Sequence, residues 1–465
     1  MNDTQDMMMI LILALVTIPI LGQDQGAGPG EPNAILLNLE RAQCLAIQNS
    51  PTLEAILETV HQAQHQLTEA RSGYWPGLSA DARALHREPS DRELAIQRFG
   101  GGVADESPDT YDLSLNATWL LFDGFRREYA TKTARLETDI SKASLKNAQR
   151  QLLEAVAQTF FQAQLADQEI RTARADLAFN QRLFREAELQ HRAGQGSATD
   201  QDNFRIRMNR ARANLIQQQS TYRAAFITLA ALMGRDPVTF TDRYTLEPLG
   251  TSEAPTLPPQ EAMTLVQYAR SHRPDLAQDH LRIRQADAGI RQARSAYWPT
   301  LSLSGRMIGE RPDNPEFEDN DVGYAVSLNL SYALFDGWSR EAKVSQAHAR
   351  RRQLRSVLRQ KELDIDAEVR EAIITLRAAA QQVPIQQENA TLARQVRDRE
   401  EKSYRAGQTP LVRLNEVQRD LVEAEALLAL ARVRLALARE QRHAATAYNL
   451  ERIAQWQAGS EQTTP

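Results

Sequence analysis

The feature that most constrains this chain is that it is written twice. Ala70-Arg71-Ser72-Gly73-Tyr74-Trp75-Pro76 returns as Ala293-Arg294-Ser295-Ala296-Tyr297-Trp298-Pro299, an offset of 223 residues. Leu121-Phe122-Asp123-Gly124 returns as Leu334-Phe335-Asp336-Gly337, and Arg192-Ala193-Gly194-Gln195 as Arg405-Ala406-Gly407-Gln408, both at an offset of 213. The markers keep their order, and the first half holds about ten extra residues between the first two. Duplication of one supersecondary unit accounts for this pattern, so the fold must be built from two like halves.

Each half has the same internal plan. A helical stretch (Asn38–Gly73, then Pro259–Ala296) stops at Tyr-Trp-Pro, where proline denies a helix its next hydrogen bond. Strand patterns follow. In Tyr111–Leu121, Tyr111, Leu113, Leu115, Ala117, Trp119 and Leu121 alternate with Asp112, Ser114, Asn116 and Thr118. In Tyr324–Leu334 the apolar positions are Tyr324, Val326, Leu328, Leu330, Tyr332 and Leu334. Weaker partners lie in Gly77–Leu85 and around Leu301, Leu303 and Met307. Period two gives one apolar and one polar face, and about ten residues is the length a tilted strand needs to cross a bilayer. Tyr74, Trp75, Trp119, Tyr297, Trp298 and Tyr332 at the strand ends suit an interfacial belt.

Asp123-Gly124 and Asp336-Gly337 read as helix starts. From each aspartate to the arginine of the next marker is 70 residues, interrupted only by Pro384 in the second half. A helix that long spans about 105 Å. Returning helices are expected over Asp200–Met233 and Pro410–Leu450. Thin, Ala-rich seams (Leu152, Val156, Phe160, Ala163; Leu421, Ala424, Leu428, Ala431, Leu435) allow close helix packing.

Four strands cannot close a barrel, and an open sheet in lipid strands its edge hydrogen-bonding groups. Closure requires other copies, and three copies of four strands give twelve, an even number within the outer-membrane range. Arg87–Thr110 and the acidic Gly309–Gly323 (Glu310, Asp313, Glu316, Glu318, Asp319, Asp321) suit outward loops, with the short helical turns at the opposite end.

The paired Leu-Phe-Asp-Gly, Tyr-Trp-Pro and Arg-Ala-Gly motifs resemble the TolC family of outer-membrane efflux proteins, over roughly Leu36 to Ile453. The resemblance implies a mainly α fold with a membrane β-barrel: a homotrimeric, twelve-stranded barrel continued by a periplasmic α-helical barrel about 100 Å long. It also implies an equatorial belt from Gly234–Pro259 and the chain ends, and docking to a periplasmic adaptor and an inner-membrane pump. No catalytic residue and no cofactor are implied, because the pump supplies the energy. Carried over by position, Gly194, Ser197, Ala198, Gly407, Thr409 and Leu411 form the adaptor-docking tips. Asp200, Arg413 and Glu416 fall where the family narrows its pore. Arg413 departs from the acidic residue common there; it either pairs with Asp200 or Glu416 to hold the tip shut, or weakens cation selectivity.

Composition sets the remaining bounds. A net charge of −5 proposes no nucleic-acid partner. Hydrophobic residues make up 42% and mean hydropathy is −0.50, values that an alternating barrel barely moves. One cysteine, Cys44, excludes an intrachain disulfide and a thiolate metal cage. His61 and His65 stand at i and i+4 but lack a third ligand nearby and read as solvated, so no metal site is expected. No phosphate loop, nucleophile triad or paired carboxylate marks an enzyme. Met7–Leu21 is too short to span a bilayer and reads as a secretory signal cleaved near Gly22–Gln23. The acidic residues before it, Asp3 and Asp6, are what a misplaced start codon would leave. The expected organisation is 1–22 signal, 23–35 extension, 36–240 first repeat, 241–259 inter-repeat segment, 260–453 second repeat and 454–465 tail. Location is the outer membrane with a large periplasmic part. A type I protein-secretion channel shares this plan, and a soluble periplasmic coiled-coil scaffold explains the helices but not the strands.

Overall fold

The computed structural model describes residues 35–86, 88, 90, 92, 99, 109–194, 197–250, 261–312 and 314–461. The expected signal and most of the loop Arg87–Thr110 lie outside them, as do Asp313 and the end of the inter-repeat segment. The first half runs β1 (Ile35–Leu37), α1 (Leu39–Asn49), α2 (Pro51–Ser72), β2 (Gly77–His86), β3 (Asp109–Phe122), α3 (Arg126–Arg192) and α4 (Ala198–Leu232). A connector of α5 (Pro237–Arg243) and β4 (Tyr244–Leu246) follows. The second half runs α6 (Glu261–His272), α7 (Pro274–Arg294), β5 (Thr300–Pro312), β6 (Val322–Ser331), α8 (Ser339–Arg405) and α9 (Leu411–Thr446), before a closing helix α10 (Tyr448–Glu461).

The stretches Asn38–Gly73 and Pro259–Ala296 are each two helices rather than one. Pro51 and Pro274 stand at the first position of the second helix, where their missing N–H is no loss, and the residue before each is extended (ψ 117° at Ser50, 121° at Arg273). The return helix expected over Pro410–Leu450 likewise ends at Thr446, where Ala447 takes a positive φ of 62° and α10 sets off in a new direction. The long helices match their expected length at 67 residues each, about 100 Å. Pro384 does not break α8; it lies on an exposed stretch, where water can satisfy the carbonyl its ring leaves unpaired.

Four strands form one antiparallel sheet in the order β2-β3-β5-β6, so among the described residues β2 and β6 are free edges. Register places the alternating residues on common faces. Leu115 stands between Ala80 and Met307, and Met307 is opposite Tyr324; Leu303 lies between Trp119 and Leu328. The other face carries Asp81, Asn116, Ser304, Ser327 and Asn329, linked by hydrogen bonds from the Asn116 amide to Asp81 (3.0 Å) and from Asn329 to Ser304 (3.1 Å). β6 stops at Ser331, so the alternating Tyr332 and Leu334 are not strand. The loop expected over Gly309–Gly323 is shorter, because β5 continues to Pro312 and β6 begins at Val322. Arg311 closes it by pairing with Asp321 (2.8 Å) and Glu318 (3.2 Å).

The main core lies where α3 and α4 meet the chain's N-terminal segment and connector. Leu37, Val156, Phe160, Ala163, Phe226, Leu229, Met233 and Leu246 are buried together there, and β1 pairs in parallel with β4. Among the described residues no helix is long and apolar enough to cross a membrane.

Candidate functional site

The two helical turns farthest along the chain from the sheet are built alike. α3 ends at Arg192, the Gly194 N–H donates to the His191 carbonyl (3.0 Å), and Gly194 takes φ +75°. α8 ends at Arg405, the Gly407 N–H donates to Tyr404 O (2.9 Å), the Gln408 N–H reaches back to Ser403 O (2.9 Å), and φ is +73°. Glycine is needed in both for the left-handed backbone that satisfies the last helical carbonyls. Among the described residues a Cβ built on either glycine meets nothing within 4 Å, so on that side both turns are open to an approaching backbone. Ser197 then caps α4, its Oγ accepting from the Thr199 N–H (3.2 Å), whereas Pro410 starts α9 without a side-chain cap.

One apolar cluster holds the two turns together. Phe179, Leu183 and Ala187 of α3, Phe204 of α4, and Leu414 and Val417 of α9 are buried, with Tyr404 and Leu411 packed against them. Ser197, Ala198, Gly194 and Gly407 are exposed and Thr409 is half-buried, but Leu411 turns inward to this cluster. Arg405 crosses between the hairpins, 2.9 Å from Glu401 and 3.6 Å from Glu186. Burial raises the Tyr404 phenol, and the carboxylates of Asp200 and Glu186 raise it further.

Arg413 pairs with Glu416 at 3.3 Å, both side chains about half exposed (53% and 48%). Such a pair is worth about 0–1 kcal/mol and opens readily. Beyond it on the same helix, Gln418 donates to Asp176 (2.9 Å), which also accepts from Asn180 (3.1 Å). Burial pushes the Asp176 carboxyl up. Asp176 had no signal in sequence, being one carboxylate among many on a polar helix.

At the other end of the long helices, sheet passes into helix through matched junctions. Asp123 accepts from the N–H groups of Arg126 and Arg127 (3.1 Å each), and Asp336 from that of Arg340 (3.2 Å). Gly124 and Gly337 share φ +66°, followed by Phe125 at 68° and Trp338 at 69°. Arg127 lies over the Tyr74 ring (5.1 Å) and donates to Gly73 O and Leu121 O; Arg340 lies over Tyr297 (5.3 Å) and donates to Leu334 O. Each arginine ties the helix before the sheet to the helix after it. Their signal in sequence is a shared place four residues past the aspartate in both halves, which an Asp-Gly helix start alone does not single out.

Midway, two buried arginines cap the end of α9. Arg273 binds Asp275 (2.8 Å), Glu368 (2.6 Å) and the Ala445 carbonyl (3.0 Å), and Arg150 binds the Ala444 carbonyl (2.9 Å). Burial pushes Asp275 up, but Arg273, Arg150 and Lys361 outweigh it and hold the carboxyl below its ordinary range. Glu440 shows the same balance: burial raises it, and His443 and Arg452 bring it below ordinary. Arg452 sits on α10 and reaches Glu440 (2.6 Å) and Gln43 (3.0 Å), so this pairing docks the closing helix.

Comparison with known proteins follows the same outline. A family profile described as "Outer membrane efflux protein" matches residues 44–235 and 265–447. Protein CyaE of Bordetella pertussis is 26% identical over 74% of this chain and 70% of its own length. The pyoverdine export outer membrane protein OpmQ of Pseudomonas aeruginosa is 26% identical over 85% of this chain and 81% of its own. The alkaline protease secretion protein AprF of the same organism is 26% identical over 74% and 69%. Among solved structures, a membrane protein from Pseudomonas aeruginosa superposes with a TM-score of 0.74 at 19% identity, covering 91% of this chain and 99% of that one, which shows a shared fold.

Proposed function

Because this chain belongs to the outer membrane efflux protein family, we propose that three copies of it form one continuous exit duct, loaded by an inner-membrane pump through a periplasmic adaptor. The chain is an outer-membrane channel protein for export. One observation carries the trimeric reading: a four-stranded sheet with an apolar outer face and two unpaired edges, joined through capped junctions to helices of 67 residues. Strands of ten residues or more, rising about 3.3 Å per residue at a tilt of about 40°, give an apolar band about 25 Å tall, the height of an outer-membrane barrel. Three such sheets close a barrel of about twelve strands and leave no edge in lipid.

The helices continue the tube and carry the turns of Gly194 and Gly407 about 100 Å from the sheet. These turns, with Ser197, Ala198 and Thr409, receive the helical hairpin of the adaptor, because open space beside a positive-φ glycine admits close backbone approach. Leu411 supports the turn from beneath. Glu416 and Asp200 face the narrow end, where three copies make a ring that favours cations once Arg413 swings away. While the Arg413–Glu416 pair holds, Arg413 offsets the charge of Glu416 within each copy and leaves the Asp200 carboxylate uncompensated. The duct catalyses nothing; it supplies a sealed path.

A photo-crosslinking residue at Ser197 or Thr409 in living cells tests the docking reading. Capture of a periplasmic protein with a helical hairpin supports it; capture of nothing but further copies of this chain contradicts it. Similarity to AprF, a protein named for protease secretion, favours a second reading in which the cargo is a protein. Deleting the gene separates the two: a small molecule retained in the cell marks efflux, and a secreted protein retained marks type I secretion.

A further inference from the structure

The duplication supplies a template for the contact between copies, in residue detail. Ten pairs join Gly77–His86 to Asp109–Thr118, and adding 223 to the first strand and 213 to the second turns each into an observed β5–β6 pair, from Thr300↔Ser331 to Gly309↔Val322. The same offsets relate the junctions. Within the chain, the first-half junction is covered by the second half. A Cβ on Gly124 would lie 2.5 Å from Ser295 O and 2.6 Å from Trp298 Cβ, and Trp298 packs edge-on to Phe122 at 6.4 Å.

The second-half junction has the same shape and no cover. Gly337 has the same φ of +66°, yet a Cβ there meets nothing within 4 Å. Phe335 and Trp338 keep the edge-on arrangement of Phe122 and Phe125 (6.3 Å against 5.5 Å). Leu334 is 86% exposed where Leu121 is 38%, and Trp338 is 70% exposed where Phe125 is 50%. The counterparts of Ser295 and Trp298 are Ser72 and Trp75, and Trp75 is itself 77% exposed. They sit beside β2, at the opposite edge of the sheet from β6, so they cannot reach this surface within one chain. The early end of β6 has the same cause. β3 continues to Phe122 because β5 pairs with its last residues, and the counterpart of β5 is β2.

We infer that β6 of one copy pairs with β2 of the next in one defined register, Val326, Leu328 and Leu330 opposite the neighbouring copy's His86, Ala84 and Ala82, with its Trp75 seated on Phe335 and Trp338. This is the β3–β5 register (Leu113↔Gly309, Leu115↔Met307, Ala117↔Gly305) carried over by the two offsets. Side-chain alternation supports it independently: the same register sets polar Asn329 and Ser331 opposite Arg83 and Asp81, whereas a slip of one residue puts Leu328 and Leu330 on the face of Arg83. The pairing extends strand structure past Ser331 through Tyr332 and Ala333.

The inference rests on the trimeric reading, and the experiment separates the two. Chains carrying Ala82→Cys with Leu330→Cys, or Ala82→Cys with Leu328→Cys, are expressed in cells, oxidised in the membrane, and run without reductant; native mass in detergent is measured in parallel. Direct partners lie within disulfide reach and the two-residue diagonal lies at about 7–8 Å, so the first pair should give covalent trimers about tenfold faster or more. A native trimer in which the diagonal pair reacts faster, or neither reacts, overturns the register and leaves the trimer standing. Native mass other than a trimer overturns the reading beneath it. A cycle of Trp75→Ala, Phe335→Ala and their combination covers the case in which cysteine variants fail to assemble. Each should lower the temperature at which the oligomer dissociates, and the double variant should lose less than the sum. Additive losses would show that the two rings do not touch.

Discussion

Gly194 and Gly407 separate the demands of folding from those of docking. Both hold φ above +70°, so any L side chain there meets a left-handed penalty of about 1–2 kcal/mol. Among the described residues a methyl placed on either glycine has no neighbour within 4 Å, so size adds no further cost against them. Alanine and leucine should therefore destabilise the turn equally. The chain tolerates such backbone elsewhere, at Phe125, Trp338 and Ala447. Two penalties of this size per chain leave a large assembly folded and lower its thermal midpoint by a few degrees. If a partner's backbone packs against these glycines, leucine blocks it and alanine only crowds it. The expected result is a graded loss: Gly194→Ala with Gly407→Ala retains part of the export, and Gly194→Leu with Gly407→Leu abolishes it at equal trimer abundance in the membrane. The assay is export measured against the amount of trimer on a native gel. Equal export by the alanine and leucine pairs would rule out a partner backbone at these glycines, since backbone strain alone would then explain the phenotype.

Further perturbations test other parts of the account. Arg273→Met leaves Asp275 and Glu368 without their cation and frees the Ala445 carbonyl, and should destabilise the protein by about 3–5 kcal/mol in thermal unfolding followed by circular dichroism. Arg413→Ala, which breaks an exposed pair, should change stability by less than about 1 kcal/mol. Glu440 has a depressed pKa, so its contribution is complete above the ordinary glutamate value of about 4.3 and is lost as pH falls through the depressed one. Protection of the α10 amides, taken as exchange relative to the intrinsic rate at each pH, should therefore fall on acidification, and Glu440→Gln should remove that dependence; protection that rises on acidification instead would contradict the sign. Glu416→Gln should reduce cation preference in planar bilayers, and unchanged selectivity would take Glu416 out of the pore.

What could be read from sequence was whatever repeats or alternates. The strands followed from period two, the long helices from two markers 70 residues apart without an effective breaker, and the turns from Arg-Ala-Gly. The helix breaks at Pro51 and Pro274 were legible too, since both prolines obey the offset of 223, but a single helix ending at Tyr-Trp-Pro is the simpler pattern and masked them. The end of β6 was not legible, because Tyr332 and Leu334 keep alternating and only the absence of a neighbouring strand stops the ladder. The inward turn of Leu411 was hidden for a related reason: its partners Phe179, Leu183 and Phe204 come from other helices. Arg150, Arg273, Glu368 and Glu440 are far apart in sequence and ordinary in type, and only packing brings these charges together around the end of one helix.

In the trimer the free sheet edges close between copies into a lipid-spanning channel. Mass of the purified protein in detergent, taken together with single-channel conductance in a planar bilayer, tests it most directly. A barrel sealed by a constricted tip gives a trimer with small, stable conductance. A detergent-free, soluble monomer that conducts nothing would contradict it and return the helices to a periplasmic scaffold.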